Sequence, residues 1–315
     1  MNRLGASRIP FLFIIDYEMR HPTVLPLPAV DPRRILYAAG GISNCGETDA
    51  RGGRPVALAS SPVAYDLYME SFNRLQRHLR DGDSYLANLT FRTPVVPGAG
   101  LREIFFLSRA RYRLWWADRF VVFSPECFIR IEAGKIAAFP MKGTIDASIP
   151  GARETLLADE KELAEHLTIV DLLRNDLSIV ARNVRVERFR YAEPILAGRS
   201  AIIQTSSEVC GELPGDYHAR IGDIVASLLP AGSVTGAPKK KTVEIISEVE
   251  DYSRGYYTGV FGIFDGNALD SAVMIRFIGQ EGNEFYYKSG GGITVYSDPR
   301  AEYEEMVRKI YVPVA

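Results

Sequence analysis

The chain has 315 residues, of which 47 % are hydrophobic, so it can bury one large core or two ordinary ones, and this argues against a disordered protein. Its formal net charge of −2 offers no general basic field for nucleic acid or an anionic membrane. The three cysteines form no C-x-x-C pair, which is typical of reduced thiols. The apolar run 11–15 is too short for a signal segment or a membrane span. We therefore predict a cytoplasmic protein that binds neither nucleic acid nor membrane.

The predicted elements alternate irregularly along the chain. In chain order, the patterns predict a buried strand at 11–15, a helix at 64–80, strands at 119–131 and 135–139, a helix at 154–177, strands at 184–189 and 201–210, helices at 217–229 and 238–249, strands at 256–265, 272–279 and 284–289, and a helix at 300–311. The most loop-like stretch is 40–54, and no repeat or low-complexity linker divides the chain. This order favours one α+β domain over 1–315 with largely antiparallel sheets.

Two predicted helices each carry a pair of glutamates three residues apart. These are Glu162 with Glu165, and Glu302 with Glu305. The spacing places both carboxylates of a pair on one helix face, and four such groups could converge on a hard cation such as Mg²⁺. Spacing alone fits solvated helix faces better, because many surface helices have it.

A glycine-rich segment, PAGSVTGAPKKK, leads into the predicted helix that begins at Pro238. A helix start offers free N–H groups to an anion. The segment lacks the Lys-Ser/Thr pair of a Walker A loop, and a plain tight turn explains it equally well.

Three glycines, Gly290, Gly291 and Gly292, directly follow a predicted strand. They would let the backbone approach a ligand carboxylate, or they would mark a bulge or kink at the strand end. Arg276 stands among apolar residues in the neighbouring predicted strand. A buried arginine must be paired, so it meets either a protein carboxylate or one on a ligand.

Lys142 lies in FPMKGTI, just past a predicted strand end. An isolated lysine at such a position is usually solvated, although loops that follow strands often carry catalytic groups. To act as a nucleophile it must be neutral, so its pKa must fall well below the ordinary value of about 10.4.

Seven segments occur together in a recognisable order between residues 65 and 311: SPECF, PMKGT, KELAEHLTIVDLLRNDL, PAGSVTGAPK, SAVMIRF, KSGGGI and AEYEE. In this the chain resembles the chorismate-utilising enzymes, which include component I of anthranilate synthase and of aminodeoxychorismate synthase. The resemblance implies a single α+β domain of two packed antiparallel sheets with outer helices, and an active site between the sheets.

Two positions indicate the branch of that family. Anthranilate, isochorismate and salicylate synthases usually carry alanine before the Gly-Thr step, whereas aminodeoxychorismate synthase component I carries lysine, here Lys142. Leu86 falls where isochorismate and salicylate synthases place a lysine that activates water. The resemblance thus implies amination of chorismate at C4 for p-aminobenzoate and folate biosynthesis, with ammonia from a separate glutamine amidotransferase. The alternatives are anthranilate synthase component I and a catalytically idle scaffold for the amidotransferase.

The resemblance also implies a role for each motif residue. Mg²⁺ would be bound directly by Glu165 and Glu305 and through water by Glu162 and Glu302. Glu126 would be the general acid for the C4 hydroxyl, and Lys142 the nucleophile at C2. The substrate carboxylates would be held by Arg276, Tyr257, Thr235, Lys309 and the backbone around Gly290, Gly291 and Gly292.

Two positions depart from the family pattern. Gln204 replaces a histidine found in many relatives, so no proton-transfer role is carried over to it. The usual Tyr-Gln-x-Asn-Leu reads Tyr-Leu-Ala-Asn-Leu here and retains Asn88.

Overall fold

Two nine-stranded sheets hold the strands of this computed structural model, which describes residues 1–46, 56–197 and 200–314. The strands are β1 Phe11–Ile15, β2 Thr23–Pro26, β3 Ile35–Ala39, β4 Ile42–Ser43, β5 Leu58–Ser60, β6 Leu86–Pro97, β7 Tyr112–Trp116, β8 Phe120–Ser124, β9 Cys127–Glu132, β10 Lys135–Ala138, β11 Met141–Asp146, β12 Arg182–Ala197, β13 Ser200–Glu212, β14 Gly236–Ala237, β15 Val260–Phe264, β16 Leu269–Val273, β17 Phe277–Glu281 and β18 Glu284–Ile293. The α-helices are α1 Asn2–Ala6, α2 Tyr65–Arg80, α3 Leu101–Leu107, α4 Ala152–Ala158, α5 Glu160–Ser178, α6 Ile221–Leu228, α7 Lys239–Val249 and α8 Pro299–Arg308.

The first sheet has the strand order β11-β13-β10-β9-β16-β15-β1-β2, with β12 beside β13. The second sheet has the order β14-β6-β18-β17-β8-β7-β3-β4, with β5 beside β6. The strand pairs within both sheets are antiparallel. The predicted α+β class with two antiparallel sheets is therefore confirmed.

Side chains of β1 show how the two sheets pack. Phe11 and Phe13 join a core with residues of α5 and α6, while Leu12 and Ile14 face a second core shared with the other sheet. This alternation follows from the two-residue period of a strand, because successive side chains point to opposite faces. A further core lies between the second sheet and α2, α7 and α8. The helices therefore lie outside the pair of sheets, as predicted.

Two predicted strands are each divided between the sheets. The run 119–131 forms β8 in the second sheet and β9 in the first, and Pro125 and Glu126 connect them. The run 272–279 forms β16 and β17, and Arg276 lies in the connection with a φ of 54° rather than inside a strand. The hydrophobic pattern does not reveal such a crossover, because the strands on both sides of it are largely buried and apolar.

The remaining elements differ from the predictions in length and number. The predicted helix 154–177 is two helices, because the Asp159 side chain caps α5 by accepting a hydrogen bond from the backbone N–H of Glu162. Pro238 is the N-cap of α7 and not its first residue. Strand β6 has twelve residues, yet the hydrophobic pattern does not predict it. Residues 47–54 of the predicted loop lie outside the described residues.

Within the described part of the chain, no helix combines the length and hydropathy needed to cross a bilayer.

Candidate functional site

Lys142 lies past the end of β10, as predicted, but at a β-bulge inside the next strand, β11, and not in a loop. The register of β11 against β13 shifts between Met141 and Thr144. Gly143 adopts a φ of 83° at this bulge, a conformation that suits glycine, and the Thr205 hydroxyl donates to the Lys142 carbonyl. Bulges re-aim the side chains they contain. The bulge therefore fixes the backbone of Lys142 while leaving its side chain to reach α5.

The ammonium of Lys142 contacts the first carboxylate pair. Its Nζ lies 2.6 Å from Glu165 Oε2. Burial alone would lower the pKa of Lys142, but the charges of Glu165, Glu162 and Glu305 outweigh burial and raise it. Beside these glutamates the lysine is thus a charged ammonium, whereas a nucleophile requires a lowered pKa.

The second carboxylate pair, on α8, faces the same ammonium. Burial and the negative charge of Glu305 raise the pKa of Glu302, while Lys142 opposes that rise. Burial acts to raise the pKa of Glu305 as well, but Lys309 and Lys142 together hold it below its usual value. Glu162 reaches the group from α5, where its Oε2 would lie 3.0 Å from a Cβ added at Gly143. The four predicted metal-binding carboxylates therefore interact with one another across Lys142.

The chemistry of these four groups fits a hard divalent cation. All are carboxylates, the ligand type that Mg²⁺ prefers. The carboxylates on α5 and α8 also repel one another, and a cation between them would relieve that repulsion. Among the described residues, no three carboxylate, histidine or thiol groups lie close enough to ligate one ion. Binding would therefore require the carboxylates to move closer together around the ion. Glu165 and Glu305 remain the candidate direct ligands, and Glu162 and Glu302 the candidate partners of its waters.

Glu126 lies where β8 crosses from one sheet to the other. Its carbonyl accepts a hydrogen bond from the Val273 N–H at 3.2 Å, so the two crossovers run side by side. The Ser233 hydroxyl donates to Glu126 Oε1. Burial raises the pKa of Glu126, although Ser233, Arg276 and Lys309 act to lower it. A raised pKa favours the protonated form that a general acid needs.

Arg276 lies on the neighbouring crossover. The Phe123 N–H donates to its carbonyl at 3.1 Å, and its guanidinium lies 5.1 Å from the centre of the Tyr311 ring. Burial acts to lower the pKa of Arg276, but the tyrosines around it raise it, so it stays charged. Within the described residues it forms no ion pair with a carboxylate. Such a cation is suited to an anionic ligand.

Tyr257 lies close enough to Arg276 and Glu126 for their charges to act on its hydroxyl. Its side chain is buried and packs edge-on against Phe277, with ring centres 5.9 Å apart. Burial raises the pKa of its hydroxyl despite the positive charges of Arg254 and Arg276. The phenol therefore stays neutral and can donate a hydrogen bond.

The three glycines continue β18 and do not follow it. Gly290, Gly291 and Gly292 pair with Thr90, Leu89 and Asn88 of β6, whereas β17 pairs with β18 only as far as Lys288. One edge of the glycine segment thus extends beyond the end of β17, next to the Arg276 crossover. The glycines can lie within the strand for a steric reason. A Cβ at Gly290 would lie 2.2 Å from the Leu89 carbonyl oxygen, so only glycine permits this close pairing.

Lys309 joins the glycine segment to the carboxylates. Its Nζ donates to the Gly290 carbonyl at 2.9 Å and lies 2.7 Å from Glu305 Oε1. A Cβ at Gly291 would lie 3.5 Å from Glu302 Oε2 and 3.7 Å from Lys309 Nζ. The glycine segment therefore borders the carboxylate group directly.

Thr235 holds the glycine-rich turn together. Its side chain is fully buried, and its hydroxyl donates to the Ala231 carbonyl at 2.8 Å. The turn itself pairs with β6, because Gly236 and Ala237 form β14. The hydroxyl of Thr235 is thus already used as a donor within the turn, and substrate binding by Thr235 stays a prediction.

Sequence reasoning missed several residues that support these groups. Ser233, which contacts Glu126, stands in the glycine-rich motif two positions before Thr235, so the motif could have indicated it. Arg254 and Glu250 form a fully buried ion pair of 2.6 Å, and Arg254 also donates to the Val234 and Asn88 carbonyls. Glutamate and arginine four residues apart are common on surfaces, so no sequence signal revealed this pair.

Leu86 and Gln204 lie on strands next to the site. Leu86 begins β6, and its Cδ1 would lie 3.1 Å from a Cβ added at Gly292. Gln204 pairs with Thr144 of β11, two residues after Lys142. Both positions that depart from the family pattern are thus close to the predicted site residues.

Comparison with known proteins agrees with this arrangement. A sequence profile described as chorismate binding enzyme matches residues 40–315. A PabA-like protein of Haemophilus influenzae is 47 % identical over 313 residues, which are 99 % of this chain and 95 % of that protein. Aminodeoxychorismate synthase component 1 of Klebsiella aerogenes is 36 % identical over 259 residues, which are 77 % of this chain and 56 % of that protein.

A solved structure has the same fold. Anthranilate synthase component I from Streptococcus pneumoniae superposes with a TM-score of 0.67 and 25 % identity, over 82 % of this chain and 59 % of that one. The profile match covers well over half of the sequence, and the resemblance inferred from the seven motifs is confirmed. The chain therefore belongs to the chorismate binding enzyme family.

Proposed function

We propose that this protein aminates chorismate at C4, which gives 4-amino-4-deoxychorismate, the precursor of p-aminobenzoate for folate biosynthesis. The observation that carries this proposal is the position of Lys142. The bulge in β11 directs its amine at the carboxylates of α5 and α8, where an alanine would offer no nucleophile. Leu86, beside Gly292, has no group that could activate water for hydroxylation.

The substrate would bind between the two crossovers and the glycine segment. Arg276 has a charged guanidinium without a protein carboxylate among the described residues, and it lies near Glu126. Tyr257 and the free edge of Gly290 to Gly292 add hydrogen-bond donors. These groups suit a ligand with two carboxylates, which chorismate has.

Two displacements would complete the reaction. In the first, the neutral amine of Lys142 forms a bond to C2 as the C4–O bond breaks, and Glu126 gives its proton to the departing hydroxyl, which leaves as water. In the second, ammonia forms a bond to C4 as the C2–Nζ bond breaks, the electron pair returns to Lys142, and a proton of the new C4 ammonium returns to Glu126. Covalent catalysis divides one difficult substitution into two easier ones.

Glu165 and Glu305 would hold Mg²⁺, which would supply positive charge to balance the ring carboxylate of chorismate. Glu162 and Glu302 would orient its waters. Lys142 must lose a proton before it attacks, because the ammonium held by Glu165 has no free electron pair.

We further propose a separate glutamine amidotransferase as the source of ammonia, and a cytoplasmic location. The PabA-like naming of the Haemophilus relative and the aminodeoxychorismate synthase name of the Klebsiella relative support a member of such a pair.

Anthranilate synthase component I is the second candidate, because the fold is shared with a solved enzyme of that name. Fold alone does not separate the two activities, and the lysine at position 142 is what favours C4 amination. An idle scaffold is disfavoured, because it has no physical reason to keep Glu126 half-buried near Arg276 at a cost in stability.

The test is product identity. The purified chain is incubated with chorismate, Mg²⁺ and ammonium chloride, and the products are separated beside authentic 4-amino-4-deoxychorismate and anthranilate. We expect the former, which keeps the enolpyruvyl ether, while anthranilate formation releases pyruvate. Release of pyruvate with anthranilate, or unchanged chorismate, would refute the proposal. Glu165→Gln should lose formation of this product, while Glu208→Gln, which alters the ion pair with Lys135, is the matched control and should keep it.

A further inference from the structure

Both glutamates assigned as direct ligands are already paired with a lysine. Lys142 Nζ lies 2.6 Å from Glu165 Oε2, and Lys309 Nζ lies 2.7 Å from Glu305 Oε1. Each ammonium occupies an oxygen that the metal would use. The two lysines differ, however, in how they are held.

Lys309 can remain near its glutamate when a metal binds. It follows Glu305 by one turn of the same helix and also donates to the Gly290 carbonyl at 2.9 Å. Its ammonium therefore has a second partner on the side of the glycine segment. Glu305 could turn one oxygen to an ion without leaving Lys309 unpaired.

Lys142 has a different attachment. It comes from β11 and not from the helix that carries its glutamate, and Glu165 is its one ion-pair partner among the described residues. Its backbone is fixed by the Thr205 hydroxyl and the bulge. Only the side chain of Lys142 can move. If Glu165 no longer paired with it, the amine would therefore take another position in the site.

We propose that Lys142 and Mg²⁺ compete for Glu165, so that the lysine holds the ligand set together without metal and is expelled toward the substrate when the ion binds. This inference rests on the proposed function, because it takes Glu165 as a metal ligand. It adds an order to the reaction: the amine leaves its carboxylate only once the ion that fixes the substrate is present.

Electrostatics gives the competition its direction. A divalent ion and an ammonium repel each other and cannot share one carboxylate oxygen, so binding must first break a half-buried ion pair. Removing the ammonium charge removes both the repulsion between the two cations and the cost of breaking the ion pair. With one positive charge fewer beside them, the four carboxylates should then attract Mg²⁺ more strongly.

The test measures Mg²⁺ binding without chorismate by isothermal titration calorimetry. Lys142→Met removes the charge and keeps most of the side-chain volume, and we expect it to bind Mg²⁺ roughly tenfold more tightly than the natural chain, since about 1.4 kcal/mol corresponds to a factor of ten. Lys135→Met is the matched control, because Lys135 lies 3.1 Å from Glu208 in another ion pair, and its affinity should be unchanged. Glu165→Gln should bind weakly.

Lys142→Arg shows whether the charge itself is responsible. It should bind Mg²⁺ no more tightly than the natural chain, and it checks the inference if the methionine variant fails to fold. Equal or weaker binding by a folded Lys142→Met, or tight binding by Lys142→Arg, would overturn the competition. Formation of 4-amino-4-deoxychorismate by the natural chain would still support the proposed function in that case, because product identity does not depend on the order of cation exchange.

Discussion

Lys142 of β11 and Glu165 of α5 form an ion pair, with Nζ 2.6 Å from Oε2. The pair joins the residue proposed to attack chorismate to a residue proposed to bind the metal. A change at either position therefore alters both roles, and single substitutions here need an independent measurement of metal binding.

Arg276 should contribute mainly to substrate affinity. Arg276→Gln removes a charged donor that has no carboxylate partner among the described residues, so KM for chorismate should rise by about 10- to 100-fold, the range for a charge-assisted hydrogen bond. Steady-state kinetics would measure this, with Arg185→Gln on β12 as a surface control. An unchanged KM would place the substrate carboxylates elsewhere.

Neighbouring glycines of β18 should respond in opposite ways to alanine. A Cβ at Gly290 would clash with the Leu89 carbonyl oxygen at 2.2 Å, so Gly290→Ala should lower the thermal midpoint of unfolding strongly. A Cβ at Gly291 would lie 3.5 Å from Glu302 Oε2 and 3.7 Å from Lys309 Nζ, which are ordinary van der Waals contacts. Gly291→Ala should therefore fold, yet bind chorismate poorly because its methyl group enters the site.

Thermal unfolding and kinetics of both variants check this pair of expectations. If Gly291→Ala kept full activity, the glycine segment would not contact the substrate. If Gly290→Ala were as stable as the natural chain, the close pairing of β18 with β6 would be wrong.

Glu126 should act in the chemical step. Glu126→Gln keeps the shape of the side chain but has no proton to give, so kcat should fall by about 10²- to 10⁴-fold while KM changes little. In the natural chain, kcat should also decline as pH rises through the raised pKa of Glu126, because the acid is then ionised. A variant with unchanged kcat would show that another group supplies the proton.

The same substitution should stabilise the fold. Because burial raises the pKa of Glu126, the folded chain keeps its proton at pH values where the unfolded carboxyl has lost it. Stability from this group is thus lost as pH rises from the unfolded value through the folded one. Glu126→Gln should therefore have the higher thermal midpoint at neutral pH, and a lower midpoint there would contradict the pKa shift.

Much of the architecture could be predicted from hydrophobic period and motif order, but the two crossovers could not. The runs 119–131 and 272–279 are each largely apolar and rich in strand-forming residues, while the chain changes sheets at Glu126 and Arg276. A local sequence pattern does not indicate which sheet a strand joins. The structure thereby explains why a charged arginine occupies an apolar run.

Helical spacing predicts which motif glutamates share a helix face, but it does not predict the ion pairs that compensate their charges. Spacing gives the face of a helix, whereas the ion pairs of Lys142 and Lys309 depend on how β11 and α8 meet α5 in three dimensions. The same limit applies to Thr235, whose buried hydroxyl serves its own turn.

The central claim is that Lys142 carries the amination by a transient bond to chorismate, and intact-protein mass spectrometry tests it most directly. Chorismate and Mg²⁺ without ammonia should leave part of the natural chain with a chorismate-derived adduct that peptide mapping locates at Lys142. Lys142→Ala should lose the adduct and most C4 amination, while Lys135→Ala should keep both. Absence of any adduct, together with full C4 amination by Lys142→Ala, would contradict the account.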